Sequence, residues 1–291
     1  MRQIYVTSAE LSAAHQGGSR PPVSETVERL RDYLSLTDTA LRLESEHTRG
    51  LYIAESLKIL EGALSLGHQP RSLLTSSRWL PALEALERRY PSQLSALPTF
   101  IASASALESL VGYRVHRGML ASMLRPPLTS VRELCQSGRL LVILEELKDH
   151  TNIGAICRSV VGLGAGGIIL SPRCADPLYR RSLRVSMGAA LRCSWARSEG
   201  WPALSEALKS EGYTLIALSL REGAQALERF AREPPAQIAL LLGSEGDGLS
   251  DEALSYADHQ AYIEMCGGVE SLNVASAAAV AMWALTRAQG A

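Results

Sequence analysis

Three short segments of the chain combine polar side chains with glycine in patterns that suit ligand binding. Residues 152–158 (NIGAICR) place an asparagine and an arginine near the start of a predicted helix. Residues 242–250 (LGSEGDGLS) hold three glycines within six positions, which lets backbone approach a ligand closely. Residues 263–275 (IEMCGGVESLNVA) lead into the last predicted helix, whose first N–H groups can hold a ligand. Each segment alone also fits an ordinary turn with an N-cap, but all three are predicted at strand ends on one face of a sheet, which favours a shared site.

The elements that position these segments follow from the hydrophobic pattern after residue 139. Short apolar runs alternate with helical patterns, which indicates an α/β fold with a mostly parallel sheet covered by helices on both faces. The predicted strands cover residues 140–144, 167–170, 213–218, 237–242 and 262–263. The predicted helices cover residues 153–163, 201–209, 251–256 and 273–287.

A smaller α/β domain is predicted ahead of this one, at residues 25–127. Residues 1–24 contain the turn-forming stretch HQGGSRPP and are predicted to form a flexible tail. Residues 128–138 follow two prolines and are predicted to be a linker to the domain at 139–291. Within the smaller domain, helices are predicted at residues 25–36, 55–66 and 81–89, and strands at 72–75 and 99–102.

Residues 162–167 (GLGAGG) match the glycine pattern of a dinucleotide-binding loop, but in the wrong context. That loop follows a strand and opens a helix, whereas these glycines close a predicted helix and lead into a strand. We therefore interpret them as a helix C-cap and exclude a nicotinamide cofactor.

The net charge of −1, from 29 basic and 30 acidic residues, conceals two basic stretches. Residues 109–132 hold four arginines and no acidic residue, and residues 171–197 hold six arginines against Asp176 alone. Such stretches are typical of a surface that binds a nucleic-acid backbone, although a solvated face is the plainer interpretation. Net charge alone therefore does not exclude a nucleic acid as a partner.

The five cysteines are widely spaced and form no C-x-x-C pair. This argues for reduced thiols in a cytoplasmic protein and against a disulfide framework or a metal site built from cysteine. The sequence also lacks an apolar run of the ~18 residues that a membrane helix needs, so no membrane association is expected.

The three segments together resemble the motifs of the SpoU (TrmH) family of RNA ribose methyltransferases, in the SPOUT class. The matching patterns are N-x-G-x-x-x-R, L-G-S-E-G-x-G-L-S and I-x-M-x-G-x-x-E-S-L-N-V-A, in that order. Ahead of them, residues 50–56 (GLYIAES) and 112–118 (GYRVHRG) resemble an L30e-like substrate-binding domain. The chain departs from the family at Glu264, where proline is common, and at Ala275, where serine is common.

The resemblance implies a trefoil-knotted methyltransferase domain behind a smaller L30e-like domain, with S-adenosylmethionine (AdoMet) as cofactor and a homodimer formed through the catalytic domain. The implied catalytic residues are Asn152, Arg158, Glu245, Ser271 and Asn273. The implied cofactor-binding residues are Leu218, Gly243, Ile263, Met265, Leu272 and Ala275. The basic stretches, one of which includes a family-like R-x-S-x-G at 184–188, supply the expected RNA-binding residues Arg114, Arg117, Arg180, Arg181 and Arg184.

The implied reaction transfers a methyl group to a ribose 2′-hydroxyl of RNA. Arg158 is a poor general base because the pKa of arginine exceeds ~12, so we expect it to bind a phosphate and stabilise developing oxyanion character. The smaller domain favours rRNA over tRNA as substrate. Two alternatives stay open: a SPOUT enzyme that methylates a base nitrogen, and a non-catalytic RNA-binding or assembly factor that retains the fold.

Overall fold

The computed structural model describes residues 1–15, 24–34, 36, 48–113 and 118–287. The chain divides into two compact units. The first comprises Met1–Pro126 with Leu178–Arg180, and the second comprises Pro127–Pro177 with Arg181–Ala291.

The first unit is built on a five-stranded sheet. Its strands are β1 (Arg2–Tyr5), β2 (Leu51–Glu55), β3 (Pro70–Thr75), β4 (Pro98–Ile101) and β5 (Met119–Leu124), in the order β1-β4-β3-β5-β2. Strands β1, β4 and β3 are parallel, and β5 runs antiparallel to both of its neighbours. The described helices are α1 (Ser8–His15), α2 (Glu25–Leu30), α3 (Leu57–Ser65), α4 (Leu80–Arg89), α5 (Pro91–Leu94) and α6 (Ala104–Val111).

The first 15 residues are part of this fold, so the predicted tail is wrong for them. Strand β1 pairs in parallel with β4, and helix α1 contributes the buried Ala14 to the hydrophobic core. Strand β1 could not be predicted from the sequence, because it is a four-residue edge strand with little alternation of burial. Residues 16–23 of the predicted tail lie outside the described residues.

The second unit is a seven-stranded, wholly parallel sheet, which confirms the predicted α/β class. Its strands are β6 (Leu140–Leu144), β7 (Gly167–Leu170), β8 (Trp195–Arg197), β9 (Tyr213–Leu218), β10 (Gln225–Ala226), β11 (Gln237–Leu242) and β12 (His259–Tyr262), in the order β10-β12-β9-β11-β6-β7-β8. Its helices are α7 (Val131–Cys135), α8 (His150–Leu163), α9 (Arg180–Val185, whose first residue belongs to the first unit), α10 (Trp201–Ser210), α11 (Leu227–Arg232), α12 (Asp251–Tyr256) and α13 (Val274–Arg287).

The predicted linker at 128–138 is also wrong, because helix α7 lies within it. Ser130 and Glu133 form a reciprocal capping box at the start of α7. Leu134 and Cys135 are buried in the core of the second unit. A five-residue helix offers too few apolar positions for a periodic pattern, although the S-x-x-E capping signature was present in the sequence.

Buried strands and helix ends otherwise follow the sequence closely. The four strands predicted at 140–144, 167–170, 213–218 and 237–242 match β6, β7, β9 and β11 residue for residue. Helix α8 ends at Gly164, whose φ of 76° is the left-handed conformation of a C-cap, as expected for the glycine-rich stretch. Glu55 belongs to strand β2 rather than to the predicted helix at 55–66, which begins only at Leu57 behind the N-cap Ser56.

Candidate active site

The carboxyl ends of strands β9, β11 and β12 open into loops that line one cavity in the second unit. Its volume is about 700 Å³. Ligands in parallel α/β sheets bind at this end of the strands. The apolar part of its lining comprises Leu218, Leu220, Leu242, Leu249, Leu254, Ala261, Ile263, Met265, Leu272, Val274 and Ala277.

Gly243, directly after β11, allows the loop at 243–249 to fold back on itself. A Cβ atom at this position would lie 2.3 Å from the carbonyl oxygen of Gly248, so a larger residue cannot be accommodated without moving backbone. Gly248 has a φ of +68°, and its N–H donates to the carbonyl of Ser244 at 3.1 Å. Backbone rather than side chains therefore forms this wall of the cavity.

One side chain from each of the three sequence motifs meets in a single hydrogen-bonded cluster. Asn152 Nδ2 donates to Glu245 Oε1 at 2.7 Å. Asn273 Nδ2 donates to the same Glu245 oxygen at 2.6 Å and lies 3.1 Å from Asn152 Oδ1. Asn152 is buried, whereas Glu245 and Asn273 are exposed. We call these three residues the amide–carboxylate cluster; it links the start of α8, the glycine loop and the start of α13.

Asn273 has a second role as the N-cap of α13. Its Oδ1 accepts hydrogen bonds from the N–H groups of Ala275 at 3.0 Å and Ser276 at 3.4 Å. Capping and participation in the cluster are therefore compatible, because they use opposite ends of one amide.

Arg158 lies farther along α8 and is exposed. Its Nη1 lies 3.4 Å from the Sδ of Met187, a residue with a positive φ of 54°. Gly154, between Asn152 and Arg158, lets α8 approach α9 closely, since a Cβ there would lie 2.6 Å from the carbonyl oxygen of Ser182 on α9. The glycine of the first motif thus serves helix packing, while the flanking asparagine and arginine remain available for the site.

The structure places most of the sequence-predicted cofactor residues on the cavity. Five of the six line it: Leu218, Gly243, Ile263, Met265 and Leu272. The sixth, Ala275, is buried and is not among the lining residues. Ser271, predicted as catalytic, is exposed and also lines the cavity.

The predicted RNA-binding arginines differ in their surroundings. Arg181 and Arg184 are exposed and form no ion pair with any residue that the structure describes. Arg180 belongs to the first unit, where its guanidinium lies 3.4 Å from Glu55 and 4.6 Å from the centre of the Tyr113 ring. Arg114 and Arg117 lie outside the described residues.

Glu145, which stands outside the three sequence motifs, anchors the far end of the glycine loop. Its carboxylate is buried and accepts hydrogen bonds from the Ser250 N–H at 2.9 Å, the Ser250 hydroxyl at 2.7 Å and the indole N–H of Trp201 at 3.2 Å. The signal that could have found it is a carboxylate directly after the continuous apolar run of β6.

The cysteines take no part in this site. All five are free thiols, and four of them, all except Cys266, are buried. Burial raises the pKa of Cys135 to about 11, and a hydrogen bond with Cys193 together with burial raises the pKa of Cys157 above its ordinary value. Within the described ranges, no group of three His, Cys, Asp or Glu side chains could hold a metal ion. None of the helices in those ranges has the length and apolar character needed to cross a membrane.

Comparison with known proteins places these features in a family context. The SpoU rRNA methylase family matches residues 139–283. An uncharacterized tRNA/rRNA methyltransferase from Mycobacterium bovis is 36% identical over 262 residues, which cover 89% of this chain and 88% of that protein. A 23S rRNA guanosine 2′-O-methyltransferase from Bacillus subtilis is 26% identical over 200 residues, covering 68% of this chain and 77% of that protein.

A solved structure supports the fold. The AdoMet-bound rRNA methyltransferase from Sinorhizobium meliloti superimposes with a TM-score of 0.76 at 24% identity. The match covers 92% of this chain and 97% of that one.

Proposed function

The chain belongs to the SpoU rRNA methylase family, and we propose that it transfers a methyl group from AdoMet to the 2′-hydroxyl of a ribose in RNA, in rRNA rather than tRNA. The observation that carries this proposal is the amide–carboxylate cluster, in which Asn152, Glu245 and Asn273 meet beside the cavity. The ribose specificity draws on the Bacillus subtilis relative, whose name specifies a 2′-O-methyltransferase acting on 23S rRNA.

The cavity fits AdoMet in size and in chemistry. Its volume of about 700 Å³ lies within the range usual for cofactor sites, roughly 300–1,000 Å³. The apolar side chains suit the faces of an adenine ring. The backbone wall at Gly243 offers N–H and C=O groups that can form hydrogen bonds with the edge of that ring. Leu218, Gly243, Ile263, Met265 and Leu272 would hold the cofactor, and the buried Ala275 is the sixth residue proposed for this role. When bound, AdoMet supplies an electrophilic methyl group on its sulfonium.

Arg158 is the residue that acts on the target nucleotide. Its exposed guanidinium binds the phosphate next to the target nucleotide and stabilises negative charge that develops on the 2′-oxygen. A guanidinium does not accept the hydroxyl proton, because the pKa of arginine exceeds ~12.

The amide–carboxylate cluster positions this arginine and the cavity relative to each other. It joins Asn152, on the same helix as Arg158, to the loop and the helix start that border the cavity. Methyl transfer requires alignment of two partners, so a rigid link between their binding sites contributes directly to rate. Ser271, on the cavity beside Asn273, is proposed to help orient the same segment.

A homodimer formed through the methyltransferase domain completes the proposal. Helices α8 and α13 pack against each other, and both carry exposed apolar side chains: Val161 at 37% exposure, Val280 at 42% and Trp283 at 52%. Exposed apolar side chains on packed helices suit burial against a second copy.

Size-exclusion chromatography with light scattering tests the dimer. The wild type should have twice the mass of one chain, and Trp283→Glu should have the mass of one chain; a wild-type monomer would refute the dimer.

The proposed activity is tested with purified protein, methyl-labelled AdoMet, and RNA isolated from cells that lack the protein. Label should enter the rRNA fraction and resist alkaline hydrolysis as a dinucleotide, because a 2′-O-methyl group blocks cleavage of the adjacent phosphodiester. Label that appears instead on a base would favour the base-methylating alternative. Binding of RNA and AdoMet without any transfer would favour the assembly factor, and label in tRNA alone would reject the preference for rRNA.

A further inference from the structure

The side chains that line the cavity carry more negative than positive charge. Three are carboxylates, Glu245, Asp247 and Glu270. Among the described residues of the lining, Arg221 is the one cation. An anionic group inside this cavity is repelled by the carboxylates and has one side chain that can compensate it.

Contacts on two sides hold Arg221 at the edge of the cavity, in the loop after β9. Its backbone N–H donates to the Ser219 hydroxyl at 3.1 Å. Its guanidinium forms an ion pair with Asp251 in the first turn of α12, and its Nη2 lies 3.5 Å from the Leu249 carbonyl oxygen. A guanidinium has five N–H donors, so these contacts leave donors for a further partner. The side chain is 53% exposed, which leaves it accessible to a ligand.

The methionyl end of AdoMet carries the anionic group that this arrangement suits. It bears an α-carboxylate beside an α-ammonium, while the rest of the molecule carries a cationic sulfonium and no negative charge. Arginine binds carboxylates through two parallel N–H···O bonds, a geometry that lysine lacks. We propose that Arg221 binds the α-carboxylate of AdoMet, an inference that rests on AdoMet being the cofactor. The carboxylates of Asp247 and Glu270 then favour the two cationic groups of the same ligand, its α-ammonium and its sulfonium.

Two nucleosides that differ in this group test the proposal without turnover. S-adenosylhomocysteine retains the amino acid end of the cofactor, whereas 5′-methylthioadenosine keeps the adenine, ribose and thioether but lacks the amino acid. Isothermal titration of the full-length chain is expected to show S-adenosylhomocysteine binding weakened about 10- to 100-fold in Arg221→Gln, with 5′-methylthioadenosine binding unchanged. Arg221→Lys should recover part of the loss, because it restores the charge without the fork.

Arg229→Gln is the matched control, since Arg229 is an exposed arginine on α11 outside the cavity lining. It should bind both ligands as the wild type does. An equal loss of both ligands in Arg221→Gln would mean that Arg221 shapes the cavity, and no loss of either would mean that it does not contact the cofactor; each result overturns the proposal. If the wild type itself binds neither nucleoside, the proposed function fails; if it binds both and only the Arg221 effect is absent, the inference alone fails.

Discussion

Gly243 illustrates how a single residue shapes the site. Its missing Cβ lets the loop after β11 fold back to within 2.3 Å of where that atom would lie, so the cavity wall is backbone. Because the contact is with the Gly248 carbonyl rather than with a flexible side chain, Gly243→Ala must displace the loop. We expect a large loss of S-adenosylhomocysteine affinity by isothermal titration. Gly162→Ala, on α8 outside the cavity lining and with no atom within 4 Å of the added methyl, is the control and should bind normally.

Arg158 is the residue whose removal should separate chemistry from cofactor binding. It is exposed on α8 and does not line the cavity. Arg158→Ala is therefore expected to abolish methyl transfer in an assay with labelled AdoMet while S-adenosylhomocysteine affinity stays near that of the wild type. A comparable loss of both would show that Arg158 maintains the cavity instead of acting on the ribose.

Glu145 is a residue whose role could not be predicted from the sequence. Asn152, Glu245 and Asn273 could be selected because each stands in a motif with glycines or at a helix start. Glu145 stands in no such motif, and its partners Trp201 and Ser250 are 56 and 105 positions away. Its importance depends on tertiary pairing, which one sequence does not display.

At the scale of elements, Glu145 links the end of β6 to the N-cap of α12 and to α10. Glu145→Ala leaves the Trp201 indole N–H and the Ser250 N–H without this acceptor. The expected loss is about 1–3 kcal/mol of unfolding free energy, measured by urea denaturation. Glu252→Ala, which removes an exposed carboxylate from the first turn of α12, is the control. Equal midpoints for Glu145→Ala and the wild type would contradict this role.

In the second unit, long buried elements were predicted and most short ones were not, whereas in the first unit the buried strands β2 and β5 were missed as well. Strands β6, β9 and β11 are five or six residues long, contain apolar runs of four or five residues and lie at the centre of the sheet, and their limits were predicted correctly. The edge strand β1 and the five-residue helix α7 were missed, because neither is long enough to display a periodicity.

At the scale of the molecule, the charge pattern places two exposed arginines on the methyltransferase unit. Arg181 and Arg184 are without ion pairs in the described parts of the chain. Neutralising both should weaken RNA binding and reduce the slope of log affinity against log salt by about 1.5, as measured by fluorescence anisotropy. The double variant of Arg229 and Arg232, both exposed on α11, is the control and should leave the slope unchanged.

The two-unit organisation and the end of the first unit, predicted at residue 127, could be read from the sequence, whereas the starts of both units could not. The change from mixed to regularly alternating elements indicated the division, and the structure places it after Pro126. The assignment of Leu178–Arg180 to the first unit could not be predicted from the local sequence, because it depends on tertiary contacts. The trefoil knot and the L30e-like character of the first unit stay predictions from the family resemblance.

The proposed 2′-O-methylation of rRNA can be tested by mapping 2′-O-methyl groups across total RNA from cells with and without this protein. The deletion strain is complemented with either the wild type or Arg158→Ala. We expect one or a few rRNA riboses to be methylated with the wild type and unmethylated in both the deletion and the Arg158→Ala strains. Identical ribose methylation in all strains, or a difference confined to base methylation, would contradict it.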